Sequence, residues 1–237
     1  MMKRQWLRHA SLTGLIGLIL LSVGVSADET AAIIRTGTFH GNEVTIDCEP
    51  GWFGLFRVDS TFELVPVNVA VTRTYDPIIG DSTGKRVAID RPGEPLVLIT
   101  GVERLETGPV TTLYYGDQFV NLGQEFSILP EGRYCYSLSA VGEARLRDGL
   151  GEMLLHRYAL IFRHVDTTQI LIEYPILALD GLPTLLWAGD LDRDGRLDLI
   201  MNLTNHYNVD LYALFLSSKA DPGNLVKKVA EFRIVGC

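Results

Sequence analysis

Short apolar runs alternate with clusters of turn-forming residues along most of the chain. Runs rich in Val, Ile, Leu, Phe and Tyr are broken about every 8–12 residues by Gly, Pro, Asn and Asp, a spacing typical of all-β domains. The pattern predicts an antiparallel, β-sandwich-like N-terminal region. Its predicted strands are Glu43–Cys48, Gly54–Val58, Glu63–Thr72, Arg86–Asp90, Leu96–Thr100, Val110–Tyr115 and Glu125–Leu129.

The middle of the chain predicts a three-stranded meander. Its strands are Tyr134–Leu146, Glu152–Phe162 and Gln169–Leu177. Residues 143–156 also contain many helix-favouring side chains, so a helix is the alternative there. Gly142, Gly149 and Gly151 oppose that helix, because each glycine costs about 1 kcal/mol in a helix interior. Strand is therefore the favoured interpretation.

The last quarter predicts a separate antiparallel sheet. Four short strands follow one another, at Thr184–Ala188, Leu197–Leu203, Asp210–Leu216 and Val226–Val235. We place a domain boundary near residues 180–183. The predicted organisation is an N-terminal segment 1–27, a β domain over 28–180 and a smaller β module over 181–237.

The N-terminal segment has the pattern of a secretory signal peptide. Lys3, Arg4 and Arg8 precede an apolar run of 14 residues, which ends at Val25. A membrane-spanning helix needs roughly 20 apolar residues, so a signal peptide fits better. The small residues before Asp28 match a cleavage site. We predict removal of residues 1–27 and, since the signal is of bacterial type, export to the periplasm or the medium.

Composition and charge narrow the function classes. The chain has 237 residues, of which 47% are hydrophobic, so a largely disordered protein is excluded. The net charge of −8 argues against a nucleic-acid partner, because a sequence-independent grip on phosphates needs an excess of cations. No apolar run after residue 27 is long and uncharged enough to predict a membrane span.

The acidic segment 190–198 has a pattern typical of a cation-binding loop. Asp190, Asp192, Asp194 and Asp198 follow the pattern D-x-D-x-D-G-x-x-D. Calcium takes about 6–8 oxygen ligands in a flexible shell, and acids at alternate positions of a tight loop can converge on one ion. Gly195 permits a sharp bend after the third acid. The backbone carbonyl of Arg196 and the side chain of Asp198 would complete the shell.

The loop does not follow the EF-hand pattern. That pattern needs a bidentate Glu at its twelfth position and helices on both sides, whereas the twelfth residue here is Met201 and the flanks predict strands. Without a cation, four acids in nine residues repel one another, so a solvated acidic turn is the weaker interpretation. Magnesium is less suited than calcium, because it prefers a near-ideal octahedron.

Residues 188–200 resemble the calcium loop of FG-GAP and VCBS-type repeats, which lies between two strands of a β-propeller blade. The resemblance implies a blade-like C-terminal sheet. It also implies calcium ligation by the side chains of Asp190, Asp192, Asp194 and Asp198 and by the carbonyl of Arg196. It covers only about fifty residues, and a closed propeller needs about four or more blades. We therefore expect a single blade-like sheet docked on the N-terminal β region.

The cysteines leave three pairings open. Cys48, Cys135 and Cys237 all follow the predicted cleavage site, and an oxidising compartment favours one disulfide with one thiol left over. No two cysteines are close enough in sequence to predict a metal site. The sequence does not choose among the pairings.

The remaining residues offer weaker sites. Trp52, Phe53 and Phe56 are an aromatic cluster that suits either a sugar platform or a small core, and residues 205–208 form a polar bulge. His164 beside Asp166 is a weak acid–base candidate, and no hydrolase or phosphate-loop motif is present. We therefore predict a non-enzymatic, exported protein that uses Ca²⁺ structurally. The alternatives are a module that binds a glycan or an envelope protein and, third, a periplasmic hydrolase.

Overall fold

The computed structural model describes residues 31–45, 51–128, 135–147 and 151–236. The predicted signal peptide, Cys48 and Cys237 lie outside these ranges. Within them, no helix has the length and apolar character to cross a membrane. A short 3₁₀ turn lies at Leu179–Gly181, and the strands are β1 (Ala32–Ile34), β2 (Gly37–Phe39), β3 (Trp52–Val58), β4 (Thr61–Val67), β5 (Val69–Asp76), β6 (Asp81–Ile89), β7 (Leu98–Thr100), β8 (Gly108–Phe119), β9 (Glu125–Ile128), β10 (Tyr136–Leu146), β11 (Met153–His164), β12 (Thr167–Ala178), β13 (Thr184–Asp190), β14 (Asp198–Asn202), β15 (Val209–Leu216) and β16 (Lys227–Val235).

The strands form three antiparallel sheets, which confirms the all-β prediction. A nine-stranded sheet has the order β1-β7-β3-β4-β8-β13-β14-β15-β16, and its two edge strands β1 and β16 come into contact. The sheet therefore curls strongly, as the right-handed twist of strands favours. A four-stranded sheet β12-β11-β10-β9 and a three-stranded sheet β2-β6-β5 complete the fold.

The predicted C-terminal sheet is confirmed as four consecutive antiparallel strands, β13 to β16. It does not stand alone, because β13 also pairs with β8 along its length. Nearly every residue of β13 and β14 is buried. Strands with both faces covered read as continuous apolar runs, which explains the run from Leu199 to Met201.

Two hydrophobic cores lie on opposite faces of these C-terminal strands. Along β14, Leu199 and Met201 belong to one core and Ile200 belongs to the other. The first core joins them to strands near the N-terminus, including Ile33, and the second joins them to the four-stranded sheet. Strands before and after residue 181 therefore share both cores.

The single strand predicted over Glu63–Thr72 is wrong, because the chain changes sheets in its middle. β4 lies in the nine-stranded sheet and β5 lies in the three-stranded sheet. Asn68 separates them, and Asp90 holds it there. The Asn68 backbone N–H donates to Asp90 Oδ1 at 3.0 Å, and the Asn68 amide donates to Oδ2 at 2.6 Å. The Asp90 carboxylate thus replaces the strand partner that Asn68 lacks.

Two other local predictions are settled by the structure. Glu43 lies in a turn and residues 44–45 belong to no strand, so the start of the predicted strand Glu43–Cys48 is wrong; its later residues lie outside the described ranges. The meander is confirmed over the helix alternative. β10 and β11 pair through Glu143 opposite His156 and Leu146 opposite Met153, although residues 148–150 lie outside the described ranges.

Candidate metal centre

The acidic loop joins two buried strands of the central sheet. β13 ends at Asp190 and β14 begins at Asp198, with Gly189 paired opposite Asp198. The strand–loop–strand arrangement is thus as the sequence predicts. Gly195 has φ +83°, a left-handed conformation that glycine adopts without strain, and it supplies the expected bend after the third acid.

Three of the predicted ligands converge. Asp190, Asp192 and Asp194 each place a carboxylate oxygen within 4.8 Å of the others. Asp192 is only 2% exposed, and the side chain of Asp194 is 6% exposed. Burying several carboxylates together is unfavourable without a compensating cation, because the charges lose their hydration and repel one another.

Two carboxylate oxygens at the centre of the cluster have no protein partner. Oδ1 of Asp190 and Oδ1 of Asp192 are buried and accept no hydrogen bond from the described residues. Their second oxygens are paired: Gly195 N donates to Asp190 Oδ2 at 2.9 Å, and Ser218 Oγ donates to Asp192 Oδ2. The free oxygens are hard anionic donors, so the chemistry of the site fits calcium.

Asp198 is placed differently from the other three acids. It is fully buried and is not a member of the clustered group. Leu191 N donates to its Oδ2 at 2.8 Å, and Ser217 N donates to its Oδ1 at 2.8 Å. Asp198 therefore links the start of the loop to the end of β15. Its predicted role as a fourth side-chain ligand stays a prediction.

Ser217 and Ser218 are residues of the candidate site that the sequence does not reveal. Both directly follow β15, and their hydroxyl groups contact three of the four loop acids. Ser217 Oγ lies 3.0 Å from Asp194 Oδ2 and 2.9 Å from Asp198 Oδ1, and its single proton can serve only one of them at a time. Their position after an apolar run was the available signal, but only the pairing of β14 with β15 places them beside the loop.

Burial sets the electrostatics of the loop. Burial raises the pKa of Asp190, and the nearby carboxylates of Asp194 and Asp192 raise it further. Burial also raises the pKa of Asp198 to about 7, although the donors on Ser217 and Leu191 oppose that shift. Both shifts show that negative charge in this loop is costly when only protein groups surround it.

The loop is anchored from both sides. The ring of Trp187 lies so close to Gly189 that a Cβ there would be 2.5 Å from Trp187 Cζ2, and Trp187 Nε1 donates to Thr112 Oγ1 at 3.1 Å. Trp187 thus packs against Gly189, at the end of β13 from which the loop leaves. Arg193, at φ +57°, donates to the backbone carbonyl of Glu106 at 3.0 Å. The side chain of Arg196 pairs with Asp194 Oδ2 at 2.8 Å, while ligation by its carbonyl stays a prediction.

The other candidate residues are less well suited to chemistry. Trp52 and Phe56 are buried in the first core, so they offer no sugar platform, and Phe53 packs partly against them. His164 stacks on Tyr136 with ring centroids 3.9 Å apart, and its buried Nδ1 has no partner among the described residues. Tyr207, in the polar bulge, is 70% exposed.

A second buried acid lies far from the loop in sequence and was not predicted. Asp76 is 2% exposed, and its Oδ2 lies 2.6 Å from His40 Nδ1. Its Oδ1 accepts hydrogen bonds from Ile78 N at 3.0 Å and Ile79 N at 3.2 Å. The hydrogen bond between the two side chains raises the pKa of His40 and lowers that of Asp76.

The structure narrows the cysteine alternatives. Cys135 has a free thiol, which lies 2.9 Å from the carbonyl oxygen of Tyr136. The two pairings that involve Cys135 therefore have no counterpart in the structure. Cys48 and Cys237 lie outside the described residues.

Comparison with known proteins adds no relative to this picture. No family model, no curated protein and no solved structure matches the chain. The likeness of residues 188–200 to FG-GAP and VCBS-type loops therefore stays a prediction made from the loop sequence, and the site has to be judged on its own geometry.

Proposed function

We propose that the protein is an exported, non-enzymatic calcium-binding β protein in which Ca²⁺ orders the loop between β13 and β14. The observation that carries the proposal is the pair of buried carboxylate oxygens, on Asp190 and Asp192, that no described residue satisfies. An unpaired buried charge costs several kcal/mol, so a sequence that keeps two of them side by side needs a cation there. The proposed export follows from the pattern of residues 1–27.

The position of the loop supports a structural use of the ion. The loop connects two central strands whose faces belong to both cores. An ion that fixes Asp190, Asp192 and Asp194 also fixes the ends of those strands. Binding to the native state alone stabilises it by RT ln(1 + [L]/Kd), about 2.7 kcal/mol when calcium is at one hundred times Kd.

Thermal unfolding with EDTA, with CaCl₂ and with MgCl₂ tests the proposal. We expect a calcium-specific rise in melting temperature that Asp192→Asn abolishes, as Asp194→Ala also should. The matched control is Asp221→Asn, an acid exposed in another turn of the same sheet, which should keep the full calcium response. Calorimetric titration then separates binding from stabilisation. A wild-type protein that takes up no calcium, or an Asp192→Asn variant with unchanged calcium affinity, would overturn the proposal.

A further inference from the structure

A surface cavity opens directly on the acidic cluster. Its volume is about 350 Å³, near the lower end of the range for small-molecule sites. Asp192 and Asp194 contribute to both the cluster and the cavity wall, so an ion held by the cluster would be reached from the cavity. The wall contains three acids and three cations: Glu103, Asp192, Asp194, Arg104, Arg196 and Lys219.

Two of the three cations are already engaged by acids of the wall. Lys219 Nζ lies 3.0 Å from Glu103 Oε2, and Arg196 pairs with Asp194. Arg104 differs, since its side chain makes no ion pair or hydrogen bond within the described part of the chain. Its backbone lies at φ +65°, a conformation that a non-glycine residue rarely adopts. The exposed Arg104 thus stands at the cavity as an available donor.

Calcium binding would change the charge balance of the cavity. The three acids and three cations of the wall balance. A calcium ion adds two positive charges, and the two remaining loop acids, Asp190 and Asp198, carry one negative charge each when they are ionised. The loaded loop and cavity are then neutral as a whole, but the ion shares the cavity with Arg104, which has no partner among the described residues, so an anionic oxygen in the cavity would face two positive groups.

The coordination shell points the same way. Calcium takes about 6–8 oxygen ligands, whereas the clustered acids supply three side chains and Asp198 is engaged by backbone N–H groups. Even with the carbonyl of Arg196, positions remain for water or for oxygens of a ligand. Because Asp192 and Asp194 line the cavity, that is the direction from which such oxygens can approach.

We propose that the calcium-loaded cavity binds the carboxylate of a sugar acid, with one carboxylate oxygen on the ion and Arg104 on the other. This inference rests on the proposed calcium site. Every residue of the wall is charged or polar, including Ser218, so the ligand must present polar groups on all sides. A hydroxylated uronic acid does so, because its ring carries hydroxyl groups on most of its carbons as well as the carboxylate.

Calorimetric titration of D-galacturonate into the calcium-saturated protein tests the proposal. We expect binding that is absent with D-galactose, which has the same ring without the carboxylate, and absent in EDTA. Arg104→Gln should weaken galacturonate binding by roughly tenfold, the loss of one charge-assisted hydrogen bond, while calcium affinity stays unchanged. Arg145→Gln, an exposed arginine on the four-stranded sheet, is the matched control and should bind as the wild type does.

The possible outcomes distinguish failure of the sugar-acid site from failure of the calcium site on which it rests. If the protein binds no calcium, both fail. If calcium binds but galacturonate does not, or if Arg104→Gln binds galacturonate equally well, only the sugar-acid site fails. Galacturonate binding that persists in EDTA would also overturn it, since the ion would then play no part. Tighter binding of N-acetyl-L-aspartate than of galacturonate would overturn the sugar in favour of an acidic side chain.

Discussion

Asp76 and Asp192 are equally buried, each at 2% exposure, yet their surroundings differ in kind. Both oxygens of Asp76 are satisfied by the protein, one by His40 and the other by two backbone N–H groups. Asp192 has one oxygen paired with Ser218 and one with no partner. Burial of an acid alone therefore does not indicate a ligand site, whereas unused lone pairs beside other acids do.

The two acids also differ in the charges around them. Asp76 faces a histidine that becomes positive when it is protonated, so its site can reach neutrality without any outside partner. Asp192 faces Asp190 and Asp194, and Arg196 forms its ion pair with Asp194. The first site is complete as folded, whereas the second leaves two buried carboxylate oxygens, on Asp190 and Asp192, without a donor among the described residues.

The largest effect we expect comes from Asp198, the loop acid that resembles Asp76 in being fully paired. Asp198→Ala removes the acceptor of Leu191 N and Ser217 N, and each buried donor left without a partner costs about 1–3 kcal/mol. Unfolding in urea should show a loss of several kcal/mol both with EDTA and with calcium. A loss seen only with calcium would instead make Asp198 a ligand of the ion.

A smaller effect of opposite sign should separate Asp192 from Asp76. In EDTA, Asp192→Asn should unfold at the same temperature as the wild type or higher. Two charges about 4 Å apart repel by roughly 4 kcal/mol at an effective dielectric constant near 20, so relief on the order of 1 kcal/mol should outweigh a weakened Ser218 bond. Asp76→Asn should unfold at a lower temperature, because His40 loses its anionic partner. Equal losses in both variants would mean that the loop acids are not in conflict.

The pH dependence of the His40–Asp76 pair gives a weaker effect. The raised pKa of His40 means that its contribution is present below the ordinary value of 6.5 and is lost as pH rises through the raised one. The lowered pKa of Asp76 means that its contribution is present above 3.8 and is lost as pH falls through the lowered one. His40→Gln should therefore lower the melting temperature more at pH 5 than at pH 9. A deficit that does not vary with pH would show that the pair is not ionic.

The cysteines give a prediction about disulfide pairing rather than about stability. Because Cys135 has a free thiol, Cys48 and Cys237 are the expected pair if a disulfide forms. Described residues close to them in sequence come together, since Val235 N donates to Glu43 Oε1 at 2.5 Å. Alkylation of the unfolded, unreduced protein followed by peptide mapping should label Cys135 alone. Labelling of all three cysteines would exclude the disulfide.

The C-terminal strands and the loop were predictable because their signals are local. Strong turn residues bracket each strand, and the acids and Gly195 lie within nine positions of one another. The break at Asn68 was not predictable, because the Asp90 carboxylate that holds it lies 22 residues away. The contacts of Ser217 and Ser218 depend on strand pairing in the same way. The pattern of acids also does not distinguish a metal ligand from an acid such as Asp198, which accepts backbone hydrogen bonds. Both roles require a carboxylate in the loop.

The pairing of β8 with β13 has a consequence for how the chain reaches this state. Thr184 lies opposite Phe119, and the first core brings Ile33 together with Phe232 near the other end of the described chain. A topology of such high contact order folds slowly, because long loops must close before their contacts repay the lost entropy. During folding, the edge of β8 stays open until β13 pairs with it, and an unpaired strand edge attracts other chains. The folding protein is therefore most vulnerable to aggregation before its last quarter has joined the sheet.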